Sequence, residues 1–330
     1  MNLMQATAVA HPNVALIKYW GKQDAGLNIP AVGSLSLTLS GLTTRTTVRF
    51  ETDRSTDEIS INGQSYQRAN IRVTRCLDLL REQAGVSGGA IVESVNDFPT
   101  GAGLASSASG YAALVRAAAA ALRLDISLDS AQPQLDEIAR IGSGSAPRSL
   151  HSGIVLLDMP AGGGDVMSCK TVSEPDEWPL AVVVAVTSRA AKDIGSTQGM
   201  ELSKETSPYY PAWVASHPAD LAIGLDAVIK HDFEKLADIS EHSCLKMHAV
   251  AMSAQPPLVY WSGATVDCMQ TIQALRRQGV PVFFTIDAGP QLKAVCLPEA
   301  AAKVRAALQE LPGVLDVIDS ALGPGAWVEQ

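Results

Sequence analysis

The chain has no long apolar run. Its strongest, Leu180–Val186, is far shorter than the roughly 20 residues that a bilayer-spanning helix needs, so no transmembrane segment is expected. Met1–Pro12 lacks a basic start followed by an apolar stretch, which argues against a signal peptide and for a soluble, cytoplasmic protein. Cysteines are few, and their pattern is uninformative. Cys76, Cys169, Cys244, Cys268 and Cys296 are odd in number and widely spaced with no C-x-x-C, so neither a disulfide framework nor a zinc site is suggested. The six histidines (11, 151, 217, 231, 242 and 248) fall into no metal-binding spacing, and structural or solvated roles suit them better. Positive charge is also in deficit, with 25 Lys+Arg against 34 Asp+Glu for a formal charge of -9. That balance disfavours nucleic acid and anionic membrane surfaces as partners, and any bound polyanion must be met by local charge. A Walker loop, a G-x-S-x-G nucleophile turn, internal repeats and heptads are all missing.

What is present is enough to build a large core. With 330 residues, 47% of them hydrophobic and only 18% charged, the chain reads as two domains or one large one. Strand-like runs occupy Ala15–Ile17, Leu35–Leu39, Thr46–Glu51 and Glu58–Ile61, and Asn62-Gly63 signals a hairpin turn. Helical spacing covers Ile71–Ala84, an Ala-rich stretch from Ala105 to Leu124, and the short Leu135–Arg140. Beyond a Gly-rich loop at Ala161–Gly164, the pattern predicts a strand at Ala181–Val186 and helices at Ala219–Ile229, Phe233–Met252 and Gly263–Gln278. A strand at Val282–Ile286 and a helix at Pro298–Gln309 follow. Helices and strands mix without the regular alternation of a doubly wound sheet, which makes the class α+β. A domain boundary near residue 185 divides the chain into 1–185 and 186–330.

Four segments carry chemistry. In Pro99-Thr-Gly-Ala-Gly-Leu-Ala-Ser-Ser-Ala-Ser-Gly110, Gly101 and Gly103 permit close backbone approach, and Ser106, Ser107 and Ser109 fall at the start of the Ala-rich helix. Free N–H groups and the positive end of the helix dipole make such a start a phosphate cradle, though a plain Gly/Ser turn capping a buried helix reads the same way. It misses the dinucleotide fingerprint because Ser106 stands where a third Gly belongs. A second small-residue loop, Gly142-Ser-Gly-Ser-Ala-Pro-Arg-Ser149, offers hydroxyls and the planar fork of Arg148, which suits a carboxylate. The run His11–Lys22 ends on Lys18, Tyr19 and Lys22, two point charges and a phenol able to meet phosphate oxygens, or else a solvated strand end. Asp287 stops an apolar strand at a Gly-Pro turn, as a turn-former or as a catalytic carboxylate.

These runs together resemble the diphosphomevalonate decarboxylase branch of the galactokinase, homoserine kinase, mevalonate kinase and phosphomevalonate kinase superfamily. The matching segments are NVALIKYWGK (Asn13–Lys22), SLSLTL (Ser34–Leu39), SVNDFPTGAGLASSASG (Ser94–Gly110), GSGSAPRSL (Gly142–Leu150), GSTQGMELSKETSP (Gly195–Pro208), Met247–His248 with Gln255-Pro-Pro257, and DAGP (Asp287–Pro290). They stand in family order across nearly the whole chain. Other superfamily kinases share only the phosphate loop.

The resemblance implies an N-terminal domain like ribosomal protein S5 domain 2, a ferredoxin-like C-terminal domain, and an active site in the cleft between them. It implies ATP and Mg²⁺ as cofactors, a homodimer, and ATP-dependent decarboxylation of mevalonate 5-diphosphate to isopentenyl diphosphate, ADP, phosphate and CO₂. Carried over by position, Asp287 looks like the catalytic aspartate, Arg148 like the holder of the substrate carboxylate, Asn13 like its hydrogen-bonding partner, and Lys18 like a neighbour of the reacting groups. Tyr19, Lys22, Ser143, Ser145 and Ser196 look like diphosphate and substrate contacts. Ser94, Gly101, Gly103, Leu104, Ala105, Ser106, Ser107 and Ser109 look like the ATP site. Departures cluster beside the substrate pocket: Val32 and Gly33 for Asn and Ser, Pro147 for Cys, and His151-Ser152 for an aromatic-Gly pair. A monophosphate-decarboxylating branch, a plain kinase and a non-catalytic ATP-binding protein therefore stay open as alternatives.

Overall fold

The computed structural model describes residues 4–66, 71–98, 106–125, 132–159, 167–190 and 193–330. The expected phosphate-loop positions Gly101, Gly103, Leu104 and Ala105, and the Gly-rich loop at 161–164, lie outside the described residues. The helices are α1 (Ile71–Ala84), α2 (Ser106–Ala121), α3 (Gln132–Gly142), α4 (Ser196–Thr206), α5 (Tyr210–Ile229), α6 (Phe233–Met252), α7 (Gly263–Arg277) and α8 (Ala301–Gln309).

Three large sheets and a two-stranded one, Lys22–Asp24 with Ile29–Pro30, organise the described chain. A six-stranded sheet runs in the order Trp327–Val328, Met4–Ala10, Thr44–Glu51, Gly89–Asn96, Glu58–Ile61, Gln64–Tyr66. Its last two strands form the expected hairpin, with Asn62 and Gly63 both at positive φ (51° and 76°) as a tight hairpin turn requires. Helix α2 lies on this sheet. Its alanines are buried on nearly every side, and Ala112, Ala113, Ala117, Ala118 and Ala119 have no exposed surface, so small side chains let helix and sheet approach closely.

The second sheet orders Ser168–Ser173, Ile154–Asp158, Ser34–Thr38 and Asn13–Ile17, and the third orders Val282–Ile286, Leu292–Cys296, Ala181–Val186 and Asp316–Ala321. Both are antiparallel throughout. They share one core, in which Val14, Leu35 and Leu37 meet Val182, Val184, Phe283 and Val295 together with Ala227, Leu236 and Ile239 of α5 and α6. Helix α6 packs on both Asn13–Ile17 and Val282–Ile286. Thr285 Oγ1 donates to the Ala15 carbonyl at 3.0 Å, which ties those two strands side by side. Their ends, Lys18 and Asp287, therefore emerge at the same place.

Two helix starts show how local chemistry sets boundaries. Ser262 and Thr265 form a reciprocal capping box, so α7 begins at Gly263. The helix expected from Ala219 in fact begins at Tyr210: Pro211 sits in its first turn, where a missing N–H costs nothing, and Pro218 is carried inside it.

Candidate active site

The cleft of about 420 Å³ gathers residues from every part of the chain: Asn13, Lys18, Tyr19 and Lys22 from the strand Asn13–Ile17 and its exit, Ser106 and Ser107 from α2, Ser143, Ser145 and Arg148 from the loop after α3, Ser196 from α4, and Asp287 from the end of the strand Val282–Ile286. Of the other expected positions, Ser94 faces an adjoining cavity instead, and Ser109 is wholly buried behind α2, bonded to Thr44 Oγ1 at 2.6 Å. Neither lines the cleft itself.

At its centre Asp287 is held by two amines. Lys18 Nζ lies 2.6 Å from Oδ1 and Lys293 Nζ 3.3 Å from Oδ2, and both lysine side chains are almost fully buried while a quarter of the aspartate's surface stays open. Burial alone raises a carboxyl, but here Lys18 and Lys293 outweigh it and hold Asp287 well below the usual carboxylate range. Burial in turn lowers the Lys293 ammonium, against the pull of Asp287. Lys18 is far from the solvated strand end that its position allows, being only 1% exposed. Its backbone N–H donates to Ser243 Oγ (2.9 Å), and His217 Nε2 donates to its carbonyl (2.9 Å).

The next residues are fixed in the same way from the C-terminal half. Trp213 Nε1 donates to the Trp20 carbonyl and Lys204 Nζ to the Lys22 carbonyl, at 2.9 and 3.1 Å. Gly21 turns the chain at φ 105°, where any side chain would strike the Tyr210 phenol. Lys22 Nζ then points to Asn28 Oδ1 (2.7 Å) and Thr197 Oγ1 (3.4 Å). Burial and nearby Arg72 lower its pKa.

Arg148 leaves a short 3₁₀ turn, Ala146–Leu150, and is 3% exposed. Nη1 donates to Ser34 Oγ at 2.9 Å and the guanidinium lies over the Tyr19 ring at 5.7 Å, but Nε is buried without a partner among the described residues. The Tyr19 hydroxyl is unpartnered as well, and burial pushes it up to about 12 against the pull of Arg148. Tyr19 comes this close to the Ser143–Ser145 loop because residue 144 is Gly; a Cβ there would lie 2.4 Å from the phenol oxygen. Asn13 donates to the Ser145 carbonyl (3.1 Å) and Ser149 Oγ (2.8 Å), bracing the turn on both sides of Arg148 rather than bonding the guanidinium. Buried polar groups normally find partners, so an orphaned guanidinium N–H and phenol facing one cleft point to a polar ligand.

Two helices aim their starts into this space. α2 brings Ser106 and Ser107, with Ser107 Oγ 3.4 Å from Ser143 Oγ, and α4 brings Gly195, Ser196 and Thr197 with no side-chain cap on its first turn. The positive dipole end at each start is suited to anions. Beside α2 a second cavity of about 230 Å³ shares Ser106 and Ser107 with the cleft, and is walled by Ile59, Ile61, Val73, Val92, Tyr111 and Leu114. An apolar slot next to an anion-binding helix start suits a flat heterocycle carrying phosphates.

Sequence reasoning missed Lys293, Arg72, Thr197, Asn28 and Tyr111. Lys293 had a signal, for it is the one charge in the otherwise apolar strand Leu292–Cys296, and it is buried there. Arg72, Asn28 and Tyr111 stand singly between apolar or small residues and Thr197 beside Ser196, in no pattern that marks them.

Fold and cleft together define a two-domain α+β protein whose cleft is lined by lysines, an arginine and hydroxyl groups suited to a phosphate-bearing ligand. A family model described as the diphosphomevalonate decarboxylase-like N-terminal domain matches residues 10–168, and one described as the mevalonate 5-diphosphate decarboxylase C-terminal domain matches residues 182–321. Diphosphomevalonate decarboxylase of Candida albicans is 33% identical over 304 residues, covering 87% of this chain and 83% of its own length. The crystal structure of mevalonate diphosphate decarboxylase from Staphylococcus aureus superposes with a TM-score of 0.90 at 33% identity, covering 99% of this chain and 98% of that one. A structure described as MDDEF in complex with MVAPP, AMPPCP and magnesium gives 0.89 at 35% identity, covering 99% of both chains. The chain belongs to the diphosphomevalonate decarboxylase family.

Proposed function

We propose that this protein is a carbon–carbon lyase that uses ATP to convert mevalonate 5-diphosphate to isopentenyl diphosphate, ADP, phosphate and CO₂. The observation that carries the reading is the pair of helix starts, α2 and α4, opening into one cleft on either side of Arg148 and Asp287. One start serves the nucleotide phosphates, with the base in the apolar slot beside α2. The other, with Lys22, Ser143, Ser145 and Tyr19, serves the substrate diphosphate. A relative held with MVAPP and AMPPCP together supports two phosphate-bearing ligands in such a cleft. A diphosphate is favoured over a monophosphate by the number of donors at the α4 end.

Arg148 would take the substrate carboxylate through its free Nε–H and keep it oriented. Asp287 would face the tertiary hydroxyl. Clasped by two lysines, it is a poor general base near neutral pH, but phosphoryl transfer passes through a loose transition state that asks for positioning and charge more than for base strength. Asp287 therefore orients the hydroxyl, and Lys18 and Lys293 offset charge gathering on the transferred group. Once the phosphate leaves, the developing positive carbon draws electrons from the carboxylate bond and CO₂ departs.

Mg²⁺ commonly binds through one or two protein oxygens plus substrate phosphates, and the cleft has that donor set in Ser106, Ser107 and Asp287, without a dedicated cage of acids. When bound it neutralises phosphate charge. The domain division near residue 185 and a homodimer complete the proposal, the latter open to light scattering. Parallel assays with mono- and diphosphate substrates, following ADP and CO₂, test the activity. Turnover of the diphosphate with equal yields of both products is expected; ADP without CO₂ indicates a kinase, and preference for the monophosphate indicates the related branch.

A further inference from the structure

Behind the Arg148 turn, outside the cleft, three potential metal ligands converge from separate elements. Asp136 on α3, His151 directly after the 3₁₀ turn and Cys169 on Ser168–Ser173 place their donor atoms within 4.8 Å of one another. His151 Nε2 is 3.0 Å from both carboxylate oxygens of Asp136. The Asp136 and His151 side chains are 5% and 12% exposed, and Cys169 is partly open, which leaves a route in from solvent. The Cys169 thiol has no hydrogen-bond partner among the described residues. Its residue spacing matches no metal motif, because no two ligands share an element.

We propose that this cluster is a Zn²⁺ site with ligands Asp136, His151 and Cys169 and a solvent-filled fourth position. The chemistry fits a borderline-soft cation, which takes mixed S, N and O donors at about 2.0–2.3 Å, so neighbouring donors in a tetrahedron stand roughly 3.3–3.6 Å apart. The Asp136–His151 pair must open by a few tenths of an ångström to reach that spacing, and Cys169 needs a shift on the order of 1 Å. Supporting contacts are in place: Gln132 Nε2 donates to Asp136 Oδ1 at 3.0 Å, and Thr38 Oγ1 donates to the His151 carbonyl at 2.9 Å. The charged groups facing the cluster are Arg116, which acts on Asp136, and Arg148, which acts on Cys169, and both favour the anionic forms of their ligands. Binding displaces the thiol proton to solvent, forming the Zn–S bond, and shifts the proton of the neutral imidazole from Nε2 to Nδ1.

The bound ion would tie α3 and the second sheet to the turn that carries Arg148, three residues before His151. The test uses the full chain, stripped with a chelator and titrated with Zn²⁺, then with Co²⁺ as a spectroscopic stand-in. One Zn²⁺ per chain, a thiolate-to-cobalt charge-transfer band, and an affinity lowered about tenfold or more in both Cys169→Ser and His151→Gln are expected. Because the cobalt band is read on the unaltered protein, a variant that fails to fold does not decide the matter. Absence of that band, or unchanged affinity in a folded Cys169→Ser, overturns the site.

Discussion

Two buried ion pairs in this molecule make opposite uses of the same chemistry. In the N-terminal block, Asp57 and Arg81 are 2% and 10% exposed, joined by two N–H···O bonds of 2.8 and 3.2 Å, and Asp57 Oδ1 also accepts from the Ala90 N–H at 2.9 Å. Arg81 Nη2 also donates to Oδ1 of the more exposed Asp78 at 2.5 Å, so its donors are met by carboxylates on both sides and donors and acceptors are matched. At Asp287 they are not, since one carboxylate faces two buried ammonium groups and an open cleft, with Lys22 and Arg148 close by. A matched pair locks an edge in place, whereas a surplus of charge waits for a ligand. The surplus also explains how a chain of net charge -9 can hold polyphosphates: the positive field is local.

The comparison breaks first, and furthest, at Asp287. Asp287→Asn keeps size and turn-forming ability while removing the charge that Lys18 and Lys293 clasp. ADP and CO₂ formation should both fall by about 10²-fold or more, with ATP binding and folding retained. A variant that consumes ATP normally but releases no CO₂ moves Asp287 to the second step.

The matched pair predicts the reverse profile. Asp57→Ala leaves Arg81 only the more exposed Asp78 and orphans the Ala90 N–H, and should cost about 1–3 kcal/mol of unfolding free energy, read by denaturant titration, with turnover per folded molecule unchanged. Loss of catalysis in the folded fraction removes the distinction drawn here.

Between these lie the groups that await ligands. Arg148→Lys replaces a two-pronged contact with a point charge, so turnover should drop by about 10–100-fold while nucleotide affinity holds. Equal losses in both would make Arg148 structural. Lys22→Ala should weaken the diphosphate substrate by roughly tenfold, the scale of one charged hydrogen bond, with little change in turnover at saturation.

The smallest effect sharpens the pair at Lys293. Asp287 is held below the ordinary carboxylate range, so its contribution to stability is complete above the unfolded value and is lost only as pH falls through the depressed folded one. Lys293→Met removes one of its two clasps. The acid limb of the pH–rate profile should then move upward, and an unmoved limb means Lys18 alone sets the charge state.

Much of this site was legible because it travels in contiguous runs. Lys18, Tyr19 and Lys22 come in one segment, Ser143, Ser145 and Arg148 in another, and Asp287 marks a strand end that periodicity locates to the residue. What periodicity could not give was partnership across the fold. Lys293 read as one polar position in a short strand, and nothing local says that its amine meets Asp287. Asp136, His151 and Cys169 come from a helix, a turn and a strand, so their convergence exists only in three dimensions. The start of α5 was hidden for a different reason: Pro211 and Pro218 punctuate the sequence like a loop, and only packing against α6 and the second sheet overrides them. The edge strand Ser168–Ser173 and the inner strand Met4–Ala10 were missed because their apolar alternation is weak.

One pairing governs how the molecule comes into being. The strand Trp327–Val328 flanks Met4–Ala10, with Ala8 opposite Val328, and Lys18 waits 269 residues for Asp287. On a ribosome, synthesis runs from one to the other. Until Trp327 and Val328 are made, Met4–Ala10 has an open edge, exposed to other nascent chains, and until Asp287 is made the lysine-lined cleft has no aspartate at its centre. A ribosome that stalls before residue 287 therefore leaves a product with neither the closed edge nor the reacting centre.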